Sequence, residues 1–445
     1  MDEESVVGTR SGRDLFCHIV RSHRLEKLAG LRYSLLPMRI LVLSQYYTPE
    51  PVAKPAELAE ALRDAGHDVC VLTGLPNYPS GQLYPGYRSR LRAADSINGI
   101  PVVRTYEFPY HGTNVFGRVA NYLSFMCSAP LGLRLLPRFD VIYVWHPPLT
   151  IGIAAWLVAR ARRVPFVYDV QDIWPESAVV AGILKRRSLA VGLLGLLERF
   201  VYSRARHILV VTDEAGCNLA AKGVPTDKLS IAPNWVDTAQ FARDLRSDSE
   251  EIRKRYGWNN RFVLLFAGNM GLVQGLATVL DAAARIPSES RSLFVLIGDG
   301  SDRRRLESLV AQMEIQARVQ FIDRQPASAI PAFLAAADAL LVHLNRSSLS
   351  QYVIPTKTLS YLAAGRPILM ATEGPAADLV RSAGAGSVVP PEDPIALADA
   401  SVALESMTAA DRDRMGTAGR AYAAAHFGKA VIIPRYERIL ADAAR

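Results

Sequence analysis

No apolar run in the sequence reaches the roughly 18 to 20 residues needed to span a bilayer. The longest such stretches, "IGIAAWLVARA" and "LAVGLLGLLERFVY", are interrupted by charge, so no transmembrane helix is expected. Cysteine is scarce. The four residues Cys17, Cys70, Cys127 and Cys217 are scattered without paired spacing, which argues against a disulfide framework or a zinc site and favours a reducing compartment. The N-terminal region lacks the uninterrupted apolar block of a secretion signal. The basic stretches lack interleaved aromatics, so nucleic acid is not an expected partner.

What is present is ordinary for a soluble globular enzyme: half the residues are apolar and about a fifth charged. At 445 residues the chain exceeds one core and suggests two or three domains. A formal charge of +8 favours contact with something anionic, though solubility alone explains it equally well. Residues 1–37 show no strand–helix rhythm, whereas "MRILVLSQYY" from Met38 reads as a natural beginning. We read 1–37 as an extension, disordered or a mis-assigned start.

From Met38 short Val/Ile/Leu runs alternate with helical stretches, the mark of parallel α/β architecture with strands buried on both faces. Strands are expected at 39–44, 68–73, 102–105, 141–145, 164–170 and 207–211, and helices at 55–67, 115–136, 150–162, 188–205 and 213–222. "PNWVDTAQFARDLRSDSEE" breaks the rhythm, and a second cycle then opens with "RFVLLFAG" and runs through strands at 293–300, 319–322, 339–344 and 367–371. The expected organisation is a domain over 38–235, a linker over 236–256, a second domain over 257–408, and C-terminal helices over 409–445 that cross back to the first. Both domains are expected to be doubly wound and Rossmann-like, facing a deep interdomain cleft, with ligands at the carboxyl ends of their strands.

Several residues could carry chemistry. Gly268 and Gly271 form a turn between a strand and a helix from about Gly275, and "GDGS" (298–301) is a second such turn. Amides at such helix starts favour a phosphate, yet glycine there is also common for backbone reasons alone. "PTKTLSYLAAGRPI" (355–368) is more specific. Thr356 is a plausible N-cap, and Lys357 falls in the first helical turn, where a cation opposes the macrodipole. Either its side chain reaches water or an anion such as a diphosphate sits there. "YDVQDIWPES" (168–177) places Asp169, Asp172 and Glu176 at the end of a buried strand, and "VWHPPLT" puts His146 at another strand end. Residues 179–207 are basic and partly amphipathic, either a membrane-surface helix or a core helix with solvated basic ends.

With these residues in view, the chain resembles a family 4 retaining glycosyltransferase of the GT-B fold, of the WbuB-like and WcaI-like kind that builds O-antigen, capsule, colanic-acid and related polysaccharides. The resemblance is carried by "SQYYTPE", "AGHDVCVLTGLPNYPSG", "GYR", "DIWPES", "PNWVD", "GNMGLVQGL" and "IPTKTLSYLAAGRPIL", and runs from about Met38 to the C-terminus. It implies transfer of a sugar, with retention, from a nucleotide diphosphate donor, expected to be a UDP-linked hexose, hexosamine or deoxyhexosamine. The acceptor would be a glycan or a polyprenyl-diphosphate-linked saccharide, met at the inner face of the cell membrane with 179–207 as a peripheral contact.

The resemblance makes Asp172, Lys357 and His146 the catalytic candidates. Gly268, Asn269, Gln274, Gly298, Gly300, Pro355, Thr356, Ser360 and Tyr361 become donor-binding candidates, and Tyr47, Lys54 and Glu176 lie on the acceptor side. No cofactor and no metal is expected, since the sole Asp-x-Asp pair, Asp411 and Asp413, lies in a polar helical stretch. The chain departs from the family where two glutamates eight apart are replaced by Tyr352 and Ser360, and where a basic pair is replaced by Asn269 and Gln274. Two other readings are a sugar-nucleotide epimerase of the same fold and a non-catalytic nucleotide-binding scaffold.

Overall fold

The computed structural model describes residues 36–112, 114–180, 184, 185, 187–347 and 349–445. The extension expected over 1–37 therefore lies, but for its last two residues, outside the described residues. The chain forms two compact units: one of residues up to Ser177, Leu184–Ala232 and Ile433–Arg445, the other of Pro233–Ile432 with a short stretch from Ala178.

The first unit holds an eight-stranded sheet in the order β3-β4-β2-β1-β5-β6-β7-β8. Its strands are β1 (Arg39–Ser44), β2 (Asp68–Gly74), β3 (Arg92–Ile97), β4 (Ile100–Thr105), β5 (Val141–Trp145), β6 (Phe166–Val170), β7 (His207–Val210) and β8 (Leu229–Ile231). All neighbours pair in parallel except β3 with β4. β1, "RILVLS", is buried but for its first residue, as expected of a strand covered on both faces. The sequence hides β3, which alternates exposed and half-buried residues along "RAADSI" and lies at the sheet edge. The helices are α1 (Lys54–Asp64), α2 (Val115–Ser128), α3 (Ile151–Arg162), α4 (Glu176–Val180), α5 (Leu189–Arg204) and α6 (Asp213–Ala221). The helix expected over 115–136 ends at Ser128 and tightens into a 3₁₀ turn, Ala129–Arg134, with Pro130 in its first turn. Strand order reverses between β1 and β5, so their carboxyl ends form the switch point where such sheets take ligands.

The second unit holds a six-stranded parallel sheet, β11-β10-β9-β12-β13-β14. Its elements are α7 (Ala239–Ala242), α8 (Arg246–Tyr256), β9 (Phe262–Ala267), α9 (Leu276–Arg285), β10 (Ser292–Ile297), α10 (Arg303–Gln312), β11 (Val319–Ile322), α11 (Ile330–Ala336), β12 (Ala339–His343), α12 (Thr356–Ala364), β13 (Ile368–Ala371), α13 (Pro375–Ser382), β14 (Gly386–Val389), α14 (Pro394–Ser406), α15 (Ala409–Phe427) and α16 (Lys429–Ala444). The stretch read as a linker is largely helical, and α8 packs on α11 within this unit. The switch point here lies between β9 and β12.

The last part of α16 belongs to the first unit. There the Tyr436 hydroxyl donates to the Ala232 carbonyl at 3.1 Å, and Glu437 lies 3.0 Å from His67 Nε2. Cys70 and Cys127 are free thiols and Cys217 is disulfide-bonded, a single bond and not the framework that the scattered spacing argued against. Sequence spacing alone does not reveal such a bond. No helix of the described residues is long and apolar enough to cross a membrane.

Candidate functional site

In the second unit, the turns that follow β9 and β10 are pressed together at the switch point. Gly268 N–H donates to the Ile297 carbonyl and Met270 N–H to the Asp299 carbonyl. Gly298, at φ +137°, must be glycine, because a Cβ there would lie 2.0 Å from the Gly268 carbonyl oxygen. Above this turn sits Lys357, in the first turn of α12. Its Nζ donates to Gln274 Oε1 at 2.6 Å and lies 3.8 Å from the centre of the Phe266 ring. A Cβ on Gly268 would come within 3.2 Å of the same nitrogen. No carboxylate pairs with Lys357 among the described residues, and burial lowers its ammonium from the usual lysine range to about 7. Desolvation without a compensating charge is what favours the neutral amine.

The start of α12 differs from the expected cap. Pro355 occupies the N-cap position, and Thr356 is the exposed first helical residue. Proline holds its φ near −60° unaided but supplies no side-chain oxygen, so no side chain caps the first turn of α12. Tyr361 is fully buried, and its hydroxyl accepts from Ala267 N–H at 2.7 Å, which fixes the end of β9. Ser360 is half-buried, and Asn269 is exposed beside the Gly268 turn. Gly300 borders a surface cavity of about 550 Å³ together with Asp299, Ser301, Arg303, Arg304 and Glu307.

Sequence reasoning missed the brace behind Gln274. His343, buried at the end of β12, has Nδ1 2.8 Å from the Gln274 carbonyl oxygen, and its Nε2 accepts from Glu392 N–H at 3.3 Å. Burial and this pairing fit a neutral imidazole, whose basicity burial lowers. The available signal was a histidine ending an otherwise apolar strand, "ALLVH".

In the first unit, His146 follows β5 and is 1 % exposed. Neither ring nitrogen has a hydrogen-bond partner among the described residues, and burial holds its basicity down to about 3. The Tyr168 hydroxyl and the Trp174 indole N–H are likewise buried and unsatisfied, with ring centres 5.6 and 6.5 Å from that of His146. Such orphaned groups at a strand end call for water or a ligand. Asp172, on the loop after β6, is half-buried, and burial raises its carboxyl above the usual range. Asp169 is buried at the end of β6 and raised to about 7 by burial. It accepts from the Tyr143 hydroxyl at 2.5 Å, from Gln171 at 2.8 Å and from Tyr436 at 3.4 Å.

The acceptor-side candidates fare unequally. Tyr47 is fully buried, its phenol raised to about 12. Glu176 is drawn into an ion cluster: Lys222 Nζ lies 3.0 Å from it and 2.9 Å from the buried Glu198. Lys54 opens α1, and its charge reaches Asp169. A second buried cluster, absent from the sequence reading, lies beyond β1, β2 and β4. Glu107 accepts from Gln45 at 3.0 Å and Asn121 at 2.7 Å, and Glu50 accepts from the amides of Tyr47, Asn77 and Tyr78. Burial, and for Glu107 the nearby Glu50, raises the two carboxyls to about 7 for Glu50 and about 8 for Glu107.

Comparison with known proteins gives a family match in each half of the chain. Residues 52–235 match the model of the glycosyl transferase 4-like domain, and 248–422 that of glycosyl transferases group 1. WbjE of Pseudomonas aeruginosa, named a glycosyltransferase, is 30 % identical over 300 residues, covering 66 % of this chain and 73 % of that protein. The chain belongs to the family 4 glycosyltransferases. WcaI of Escherichia coli K12, named for colanic acid biosynthesis, is 27 % identical over 350 residues, 76 % of this glycosyltransferase and 84 % of WcaI. Among solved structures, WaaG, involved in lipopolysaccharide biosynthesis, superposes at TM-score 0.65 with 17 % identity, covering 91 % of this chain and 99 % of WaaG. HepE of Anabaena, solved with UDP and glucose, superposes at 0.68 with 18 % identity over 91 % of this chain and 99 % of its own. These likenesses establish a two-unit α/β GT-B fold, while the family models and the curated relatives support a glycosyltransferase of polysaccharide biosynthesis.

Proposed function

We propose that this glycosyltransferase moves a sugar, with retention and without a divalent metal, from a UDP-linked hexose, hexosamine or deoxyhexosamine to a lipid-linked or glycan acceptor in bacterial cell-surface polysaccharide assembly. The observation that carries the reading is Lys357, a half-buried cation with no carboxylate partner among the described residues, set over the Gly268 turn at the start of α12, which no side chain caps. A diphosphate at that point would meet both the helix amides and the ammonium. UDP and UDP-glucose in structures of HepE favour a uridine nucleotide, and family membership favours retention.

In the transfer, the bond between the anomeric carbon and the diphosphate oxygen breaks and its electron pair stays on that oxygen. The acceptor hydroxyl oxygen bonds to the same carbon and gives up its proton, which ends on the departing diphosphate or in solvent. Negative charge therefore grows on the diphosphate, and one preorganised cation there is worth on the order of 3 kcal/mol. His146, neutral across the physiological range, can donate one hydrogen bond and accept another from sugar hydroxyls. Asp172 would help orient the acceptor on the first unit. In this reading 38–235 carries the acceptor and 257–408 the donor. Among the described residues no group of three or more His, Cys, Asp or Glu could hold a metal ion. Asp411 instead pairs with Arg414 at 2.5 Å. Residues 179–207 would hold the enzyme at the anionic inner face of the cell membrane, where a lipid-linked acceptor lies.

Thermal shift against a panel of nucleotides and nucleotide sugars, on wild type and Lys357→Ala, tests the donor half of this reading. A ligand at about 100 times its Kd adds ~2.7 kcal/mol. Stabilisation by UDP compounds that weakens in the variant is expected. Stabilisation by none of them would move the scaffold reading to the front.

A further inference from the structure

The first unit carries a layer of helices whose outer face is both greasy and free of negative charge. α3 packs against α2 and the 3₁₀ turn after it on one side and against α5 on the other. α2 exposes Phe116 (85 % exposed), Val119 and Leu123 at helical spacing, and α5 exposes Leu189 (90 %), Leu193 (66 %) and Leu196. Three- and four-residue steps place each set along one side of its helix. A globular surface rarely leaves leucine and phenylalanine this bare without a partner.

Charge narrows the choice of partner. The sequence has no Asp or Glu between Glu107 and Asp140, or from His146 through Tyr168. Between Glu176 and Asp213 the one acid is Glu198, which is buried and paired with Lys222. Exposed basic residues border the apolar stripes: Arg134 and Arg138 beyond α2, Arg160 on α3, and Arg187 and Arg199 at α5. A second copy of the chain on this face would bring two acid-free, basic surfaces together. An anionic lipid surface would accept the apolar side chains and neutralise the arginines at once.

We infer that α2 and α5 together form a bidentate membrane-docking face for anionic lipid, with Phe116 and Leu189 as anchors. α2 and α5 follow β4 and β6 and run back from the carboxyl edge of the sheet. Their N-terminal halves, which carry Phe116, Leu189 and Leu193, therefore lie toward the edge that holds His146 and Asp172. Docking there would bring that edge to the membrane. The inference rests on the proposed membrane contact of 179–207 and adds α2, which that reading did not include.

The test is co-sedimentation of the full chain with vesicles of phosphatidylcholine alone and of phosphatidylcholine with about a quarter phosphatidylglycerol, at about 0.1 M and 0.5 M salt. Phe116→Ser/Leu123→Ser and Leu189→Ser/Leu193→Ser are compared with wild type, after each variant is shown to keep the wild-type thermal unfolding and UDP response. Wild type is expected to bind anionic vesicles and to release in high salt, and each double variant to bind about tenfold more weakly or worse. Loss in the α5 variant with full binding by the α2 variant would overturn the two-helix face while leaving the 179–207 reading intact. No vesicle binding by wild type would overturn both. A dimer in sedimentation velocity that Phe116→Ser disperses, without vesicle binding, would assign the face to a second copy instead.

Discussion

Lys357 in the unliganded protein is poised near pH 7, lowered there by burial, and the proposed donor site predicts that binding recharges it. At pH 8 a group with this pKa is protonated in about a tenth of molecules. A diphosphate beside the amine restores the charged form, so binding a nucleotide sugar takes up ~0.9 proton per site at that pH. Above pH 7 each further pH unit then weakens binding about tenfold, or ~1.4 kcal/mol, because the proton must be bought back from increasingly alkaline solvent. Below pH 7 the lysine is already charged and the affinity levels off. Isothermal titration with UDP-glucose in buffers of different ionisation enthalpy, from about pH 6 to pH 8.5, measures both quantities. Lys357→Gln should abolish the uptake and flatten the profile. Buffer-independent heats in wild type, with the same affinity at the two ends of that range, would refute the placement of the diphosphate beside this amine.

Three further outcomes follow from buried groups. Glu107, raised to about 8, keeps its proton in the fold while the unfolded chain loses it above about pH 4.5, so wild-type stability should fall as pH rises between those values, by ~1.4 kcal/mol per unit. Glu107→Gln should remove that contribution in urea unfolding at pH 5 and pH 8, leaving the smaller slopes of the same sign from Glu50 and Asp169, both raised to about 7, and an unchanged total slope would show that Glu107 does not contribute. Lys222→Ala strands Glu198 without its counter-ion and should cost about 3 kcal/mol of stability, read as lost urea resistance of the first unit. A cost under about 0.5 kcal/mol would mean the pair is effectively solvated. Gly298→Ala places a methyl 2.0 Å from the Gly268 carbonyl and should weaken UDP binding at least about tenfold through displacement of the paired turns. Unaltered binding would show that those turns do not shape the donor site.

Much of the fold was legible because buried parallel strands are nearly pure Val/Ile/Leu runs: "RILVLS" and "FVLLFA" announce themselves. β3 and β14 were not, since "RAADSI" and "GSVV" are half-exposed at sheet edges and carry no apolar run. Lys357 was legible as a cation against a helix dipole, because that conflict is local to the sequence. Its partners were not. Phe266 and Gln274 meet it from two other segments, His343 braces Gln274 from a third, and only the strand order brings those segments together. The Thr356 cap failed because proline, which suits the start of a helix, took the cap position itself. The Glu50 and Glu107 cluster was invisible for the same reason as His343: charged residues distant in sequence meet only when β1, β2 and β4 are laid side by side.

The central claim is sugar transfer from a nucleotide donor. The measurement that tests it most directly is incubation of the purified chain with radiolabelled UDP-sugars and a polyprenyl-diphosphate-linked saccharide extract, following label into the lipid phase. The account predicts label from at least one UDP-sugar, with the incoming anomeric configuration kept. It also predicts a loss of turnover on the order of a hundredfold in Lys357→Ala, the size of one electrostatic contact to the leaving group. Tight binding of UDP-sugars with neither transfer nor hydrolysis across the panel would contradict it and leave a nucleotide-binding protein without a transferase reaction.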